Sequence, residues 1–340
     1  MKSFLMFFLA TFCCMGALAS NFDVDGIHYE MTSNTTVGVT FSSDKSNNYE
    51  GLTSLVIPEN VTYEGVTYNV TSIGSNAFMY CKSLESVVIP NTIDSIGSQA
   101  FRGCTSLTKV KIPSSVKLMR ESAFAGCESL ESVCLKASLK EIEAETFSHC
   151  TLLKSIVIPK GVESVGHHAF YMCEHLTSVT MPSSLKFIGE SAFHSCYSLP
   201  SATIGNGVDI ITKCAFSNCE SLRTLVIPGS VDSIGYQAFI NCPLKEIYAF
   251  ALPKCDWDVF SASIPQQATL YVQPGLSPKH YPWYLFKTVV EIPAGIDDIL
   301  GDDETSADAP VYNIQGVRMQ NADNLPRGVY IKGKKKFLVQ

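Results

Sequence analysis

The stretch that decides the fold is CKSLESVVIPNTIDSIGSQAFRG, residues 81–103. Within it Leu84, Val87 and Ile89 lead to Pro90. The period-2 relation of Val87 and Ile89 predicts a short strand with one buried face, and Pro90, which has no N–H to donate, ends its ladder. A second apolar pair, Ile93 and Ile96, precedes Gly97, where a turn using positive φ is expected. The segment SQAFRGC is too short for an independent helix, so it predicts a single helical or 3₁₀ turn that drops Phe101 into a core. One such unit cannot bury these groups; stacked copies can.

The copies are present. Cys81, Cys104, Cys127, Cys150, Cys173, Cys196, Cys219 and Cys242 are spaced 23 residues apart. Three residues before each stands Phe78, Phe101, Phe124, Phe147, Phe170, Phe193, Phe216 or Phe239, preceded by Ala except at Thr146. Three residues after come Leu84, Leu107, Leu130, Leu153, Leu176, Leu199 and Leu222, slipping by one to Leu244 at the end. A fixed period of this length predicts a solenoid whose parallel strands lie about 4.8 Å apart.

The run NTIDSIGSQAFRGCTSLTKVKIPSSV, residues 91–116, resembles the BspA-like class of bacterial leucine-rich repeats, whose 23-residue unit carries the same IG..AF..C..L..V.IP signature. The resemblance covers about residues 71–250, in seven complete units. Lys136 and Gly205 depart from it at the proline, and Arg120, Glu143 and Thr212 at the glycine, which puts single turns in question and leaves the fold. The resemblance implies a repeat solenoid: a right-handed leucine-rich-repeat superhelix with a parallel β-sheet on its concave face, short helical or 3₁₀ turns elsewhere, and β-rich caps. It also implies display outside a cell and binding of host or neighbouring-cell proteins, with a part in adhesion.

The rest of the chain is read around this array. Residues 1–19 have the three parts of a signal peptide: Lys2, an apolar run from Phe4 to Met15, and Ala17-Leu18-Ala19. The apolar run is shorter than the roughly 20 residues needed to span a bilayer, so no transmembrane segment is expected in the mature chain. Residues 20–70 form an N-terminal β-rich cap, with a first repeat strand at Leu52–Pro58 and hairpins expected in FDVDGIHYEM and VTYEGVTYNV. The repeats occupy 71–250, and a C-terminal cap 251–293 holds Trp257 and Trp283, both expected to cover the last repeat. An acidic linker at 294–310 precedes a small β tail at 311–340 that resembles C-terminal segments of secreted Bacteroidetes proteins. Export or surface attachment and a purely structural role both remain open for that tail.

Composition bounds the function. Of 340 residues 46% are hydrophobic and 17% charged, which suits a folded chain with a buried core. The net charge of −7 makes nucleic acid an unfavoured partner, because phosphate binding depends on clustered cations. Removal of the leader leaves 11 of the 13 cysteines, an odd number. Stacking keeps ladder Cβ atoms near 4.8 Å, wider than the roughly 3.8 Å of a disulfide, so the column reads as buried thiols acting as small hydrophobes. His149, His167, His168, His175 and His194 fall in columns that hold varied polar residues elsewhere and read as surface positions. DVDG at 23–26 lacks the glutamate that closes a calcium loop. Neither GxxxxGK[ST] nor GxSxG occurs. The expectation is a protein with no catalytic residues, no cofactor and no metal.

What remains is a surface. If Val87 and Ile89 point inward, then Ser86 and Val88 point out. The period gives one outward row of Ser86, Lys109, Ser132, Ser155, Ser178, Ser201 and Thr224, and a second of Val88, Lys111, Cys134, Val157, Thr180, Thr203 and Val226. This mostly uncharged strip of hydroxyl and β-branched groups is the candidate binding site for a flat protein surface or an extended chain. Ser, Thr and Val also simply suit exposed strands. Lys109 and Lys111, on one strand, are the candidates for an acidic partner. The expected function is non-catalytic extracellular protein binding or adhesion, with host matrix proteins among the candidate partners and a secreted or cell-surface location. The alternative is a glycan-binding component of a surface nutrient-acquisition system, although an aromatic platform along the strip is missing.

Overall fold

The computed structural model describes residues 21–41, 49 and 51–292, and the backbone of strands at 311–313, 328–332 and 335–339. The expected leader and linker lie outside these residues. The chain is a solenoid of stacked parallel strands with very little helix, a four-residue turn of helix at Ile264–Gln267 and a 3₁₀ turn at Trp283–Leu285 among the described residues.

Strands Ser54–Val56, Ser86–Val88, Lys109–Ile112, Ser132–Leu135, Ser155–Val157 and Ser178–Thr180 make one six-stranded parallel sheet. A second, of five strands, runs through Ser201–Thr203, Thr224–Ile227, Glu246–Ala249, Thr269–Val272 and Thr288–Glu291. Pairing follows the repeat: Ser132 lies opposite Lys109, Ser155 opposite Ser178, and Thr203 opposite Val226. Two-residue strands such as Ser164–Val165 and Phe187–Ile188 stack in the same way on another side of each turn.

The division of the sheet has a residue behind it. In each unit the residue before the strand donates its N–H to its counterpart one repeat back: Thr108 to Glu85 (3.2 Å), Glu131 to Thr108 (2.9 Å), Lys154 to Glu131 (3.2 Å) and Thr177 to Lys154 (2.9 Å). Pro200 occupies the next position and has no N–H to give. The ladder resumes only when Arg223 donates to the Pro200 carbonyl at 2.9 Å.

Two local expectations are corrected. The segment around each phenylalanine is not a helical or 3₁₀ turn. Alternate N–H groups close four-residue turns within the unit (Ala100 to Gly97, Arg102 to Gln99, Cys104 to Phe101), while those between them reach the next repeat (Gln99 to Glu121, Phe101 to Ala123, Gly103 to Ala125). This pattern needs left-handed backbone twice per unit, as at Gln99 (φ 58°) and Gly103 (φ 70°). Gly97, by contrast, does not use positive φ. A Cβ there would lie 2.4 Å from the Ser75 nitrogen, so glycine is needed for close stacking of backbones.

The core is a column. Phe78, Phe101, Phe124, Phe147, Phe170, Phe193, Phe216 and Phe239 are fully buried, and neighbouring rings stack with centroids 5.0 to 5.7 Å apart. Offset stacking of this kind adds about 0.5–1.5 kcal/mol per pair to simple burial. Thr146, in place of alanine, is buried too, and its hydroxyl donates to the Glu143 carbonyl at 2.6 Å. The ladder cysteines are buried free thiols, and they are more than small hydrophobes. Cys104, Cys127, Cys150, Cys173, Cys196, Cys219 and Cys242 each donate Sγ–H to the carbonyl of the phenylalanine 26 residues earlier, at 3.0 to 3.4 Å.

The column is closed at both ends. Asn21–Val24 pairs with Ile27–Met31, and Asn60–Tyr63 with Val66–Ile73, as antiparallel hairpins turning on Asp25-Gly26 and Glu64-Gly65. Tyr49 packs on Phe78 at 4.8 Å. At the other end Phe260 continues the stack, and Trp283, fully buried, lies edge-on to it while donating its indole N–H to the Pro253 carbonyl at 3.0 Å. Trp257 does not share this role. It is 68% exposed, with its ring tilted over Tyr236. The strands Val311–Asn313, Gly328–Lys332 and Lys335–Val339 form a separate antiparallel sheet.

Candidate functional site

The strand register determines which side chains face out. Val88, Lys109, Lys111, Ser132, Cys134, Ser155, Val157, Ser178, Thr180 and Thr203 are exposed, while Ser86 and Ser201 are half-buried. Their inward neighbours Val87, Val110 and Ile156 are buried. Val88 and Val157 are large apolar groups left more than half exposed. The strip thus carries hydroxyls, two cations and exposed valines on the first sheet.

Two features differ from the sequence expectation. The strip is interrupted between Thr180 and Ser201, because these strands belong to different sheets and Pro200 breaks the ladder joining them. Its last two members do not face solvent: Thr224 is 7% and Val226 3% exposed. Their column turns bulky beyond them. Val226 is in register with Tyr248, which stacks on Tyr271 at 4.6 Å, and Thr224 is in register with Glu246. A tyrosine one sheet spacing away is large enough to cover a valine. The accessible strip therefore ends at Thr203. Counting by 23 ends the column at Val226; the tyrosine pair enters it through the step of 22 from Leu222 to Leu244, which carries Val226 to Tyr248.

Charged groups on the flanks pair across one repeat. Lys140 with Glu163 (2.7 Å), Lys154 with Glu131 (2.6 Å), Lys213 with Glu190 (2.9 Å) and Arg120 with Glu143 (3.2 Å) all join residues 23 apart. Such exposed pairs contribute little stability, but they leave the sheet face free of these charges. The Lys140 contact holds the Glu163 carboxyl below its usual range.

The histidines are not scattered. Tyr171 receives the edges of His149 (5.4 Å) and His168 (5.1 Å) and stacks on His194 (5.1 Å). His194 is pushed down in pKa by burial and then by His168. Glu145 lies close to His167 and His168, with one ligand-type atom from each within 4.8 Å of the others. His149, His167 and His175 are exposed as expected, while His168 and His194 are half-buried. Glu145 and His168 occupy the same column of consecutive repeats, a signal present in the 23-residue spacing.

A cleft of about 460 Å³ lies at the N-terminal cap, lined by Asp25, Tyr29, Leu52, Ser54, Asn60 and Thr62 among others. Asp25 is its only ionisable group besides Tyr29, whose hydroxyl burial pushes up to about 12. No helix among the described residues is long and apolar enough to cross a membrane.

The family described as BspA type leucine rich repeat region matches in six copies, over segments spanning residues 40–263. No curated protein matches. Among solved structures, a leucine rich cell surface protein from Faecalibacterium prausnitzii is 24% identical, with a TM-score of 0.45, over 81% of this chain and 95% of that one. The leucine rich repeat protein of T. pallidum is 25% identical, with a TM-score of 0.45, over 66% and 90%. A leucine-rich repeat protein from Bacteroides ovatus is 22% identical, with a TM-score of 0.31, over 81% and 100%. With the repeat signature matched over about two thirds of its length and the strands stacked at that repeat, the chain belongs to the family of BspA-type leucine-rich repeat proteins.

Proposed function

We propose that the chain is a non-catalytic extracellular protein-binding or adhesion protein, acting at the cell surface or after secretion, and that its partner docks on the strip from Val88 to Thr180. The observation that carries this reading is the exposed outer face of the first six-stranded sheet. It presents Val88 and Val157 as apolar contacts among small hydroxyl groups, with Lys109 and Lys111 as its two cations. A flat face of this kind gives affinity through area and a few anchors. The leader read in residues 1–19 and the family's repeat scaffold support the extracellular setting.

The test is a pull-down against extracellular matrix proteins, followed by binding measurements on two variants. Val157→Arg should abolish binding by placing an unpaired bulky cation in the contact. Replacement of Lys109 and Lys111 by Glu should slow association and reduce its salt dependence, as charges at the rim act through steering. Unchanged binding in both variants would place the contact elsewhere on the molecule.

One observation favours a second reading, glycan binding. Exposed Trp257 lies tilted over half-buried Tyr236 with ring centroids 4.5 Å apart, and its indole face is a surface on which a sugar ring can stack. A glycan array with Trp257→Ala as control separates the two readings.

A further inference from the structure

We propose that Glu145, His167 and His168 form a binding site for a divalent first-row transition ion, with zinc as the physiological occupant, on the turn face of two consecutive repeats.

The backbone brings the three together. Glu145 and His168 stand 23 residues apart, each five residues before its ladder cysteine, and both adopt left-handed backbone (φ 54° and 53°). The Glu145 N–H donates to the His167 carbonyl at 2.9 Å, which locks the two turns in register. Stacked turns of equal conformation project their side chains in parallel. One nitrogen from each imidazole and one carboxylate oxygen already lie within 4.8 Å of one another. Ligands of a tetrahedral zinc ion sit about 2.0–2.2 Å from the metal, hence roughly 3.4 Å apart. A side-chain rotation of His167, which is exposed, together with a smaller movement of the carboxylate, closes that gap.

The donor set selects the ion. Calcium and magnesium require six or more oxygen ligands, whereas two imidazoles and a carboxylate suit zinc, copper or nickel. The surroundings orient the donors. Ser122 donates its hydroxyl to Glu145 Oε2 at 3.1 Å, and the Tyr171 ring meets His168 edge-on at 5.1 Å. Such outer contacts fix ligand orientation and raise affinity. None of the ion pairs among the described residues uses Glu145. The equivalent column holds Asn76, Gln99, Ser122, Ser191, Cys214 and Gln237 in other repeats, and among the described residues three ligand-type side chains converge at this pair of turns.

The experiment is calorimetric titration of the full mature chain, kept reduced, with zinc alone, accompanied by cobalt absorption spectra. One ion should bind per chain. Loss of an outer-shell contact commonly costs 10–100-fold in metal affinity, so loss of a ligand in Glu145→Gln or His168→Asn should weaken binding at least about tenfold. His175→Asn, elsewhere on the surface, should leave it unchanged. Cobalt should give visible ligand-field bands without a thiolate charge-transfer band, which separates this site from the cysteines. Should the half-buried His168 variant fail to fold, His167→Ala, at an exposed position, carries the same expectation. The proposal is overturned by the absence of saturable one-to-one binding, by affinity indifferent to Glu145 and His167, or by a cobalt spectrum of thiolate ligation.

Discussion

Alkaline pH should dissolve this solenoid through its cysteine column. Burial pushes the thiols of Cys81, Cys104, Cys127, Cys150, Cys173, Cys196 and Cys219 above their ordinary value of 9.0, that of Cys81 to about 12 and the inner ones well above. Each folded thiol keeps its proton where the unfolded chain has released it. Proton uptake is then greater in the folded state, so stability is fully present below about pH 9 and is lost as pH rises toward the folded value. At pH 10 each thiol has withdrawn stability on the order of 1 kcal/mol. Seven together withdraw several kcal/mol, a large part of the stability of a typical domain, about 5–15 kcal/mol. We therefore expect a steep loss of stability as the pH rises above about 9 in the presence of reductant. Cys173→Ala isolates one contribution. At pH 7 it should cost about 1–2 kcal/mol, from a small cavity and the loss of the Sγ–H bond to the Phe147 carbonyl, which keeps the Cys150 N–H at 3.2 Å. That deficit should shrink by on the order of 1 kcal/mol between pH 7 and pH 10. Urea denaturation followed by circular dichroism at several pH values measures both. Parallel stability–pH curves for the two proteins would refute the linkage and the buried, protonated state of the column.

Four further outcomes are expected. Phe170→Ala removes a ring stacked on Phe147 and Phe193 at 5.5 and 5.2 Å and should destabilise by about 3–5 kcal/mol in urea, while Ser178→Ala on the outer face stays within about 0.5 kcal/mol. Combined with Phe193→Ala the effect should be non-additive, and combined with Phe239→Ala additive, as nearest-neighbour coupling in a solenoid requires. Thr177→Pro should repeat the break at Pro200 one unit earlier, with hydrogen exchange accelerating between Ser155–Val157 and Ser178–Thr180. Thiol labelling of native protein should reach exposed Cys134 first; rapid modification of Cys150 or Cys173 would contradict the ladder.

Much of the molecule was legible because the repeat converts spacing along the chain into neighbourhood in space. A cysteine or phenylalanine recurring at a fixed interval can only stack on its own copies, so the column, the inward valines and the outward rows follow from counting. The capping hairpins were legible from Asp25-Gly26 and Glu64-Gly65, since φ > 0 at both positions is what a two-residue hairpin turn demands. Gly97 was visible as a special position, but its reason, backbone against backbone at Ser75, appears only when two turns are stacked.

Sequence by itself determined the period, the solenoid and the identity of the core, because these depend on interactions that every unit makes in the same way. Tertiary structure decided where that equivalence fails. Pro200 interrupts the sheet because a ladder needs a donor from each strand. Val226 is hidden because its register partner is Tyr248 and not another small residue. Trp257 stays in solvent while Trp283 seals the core. Glu145, His167 and His168 meet because their turns are bonded in register, and a column count made one histidine at a time does not show which side chains share a column with a carboxylate. Burial of a repeated residue is a property of the repeat; accessibility and convergence of side chains depend on what the adjacent turn places beside them.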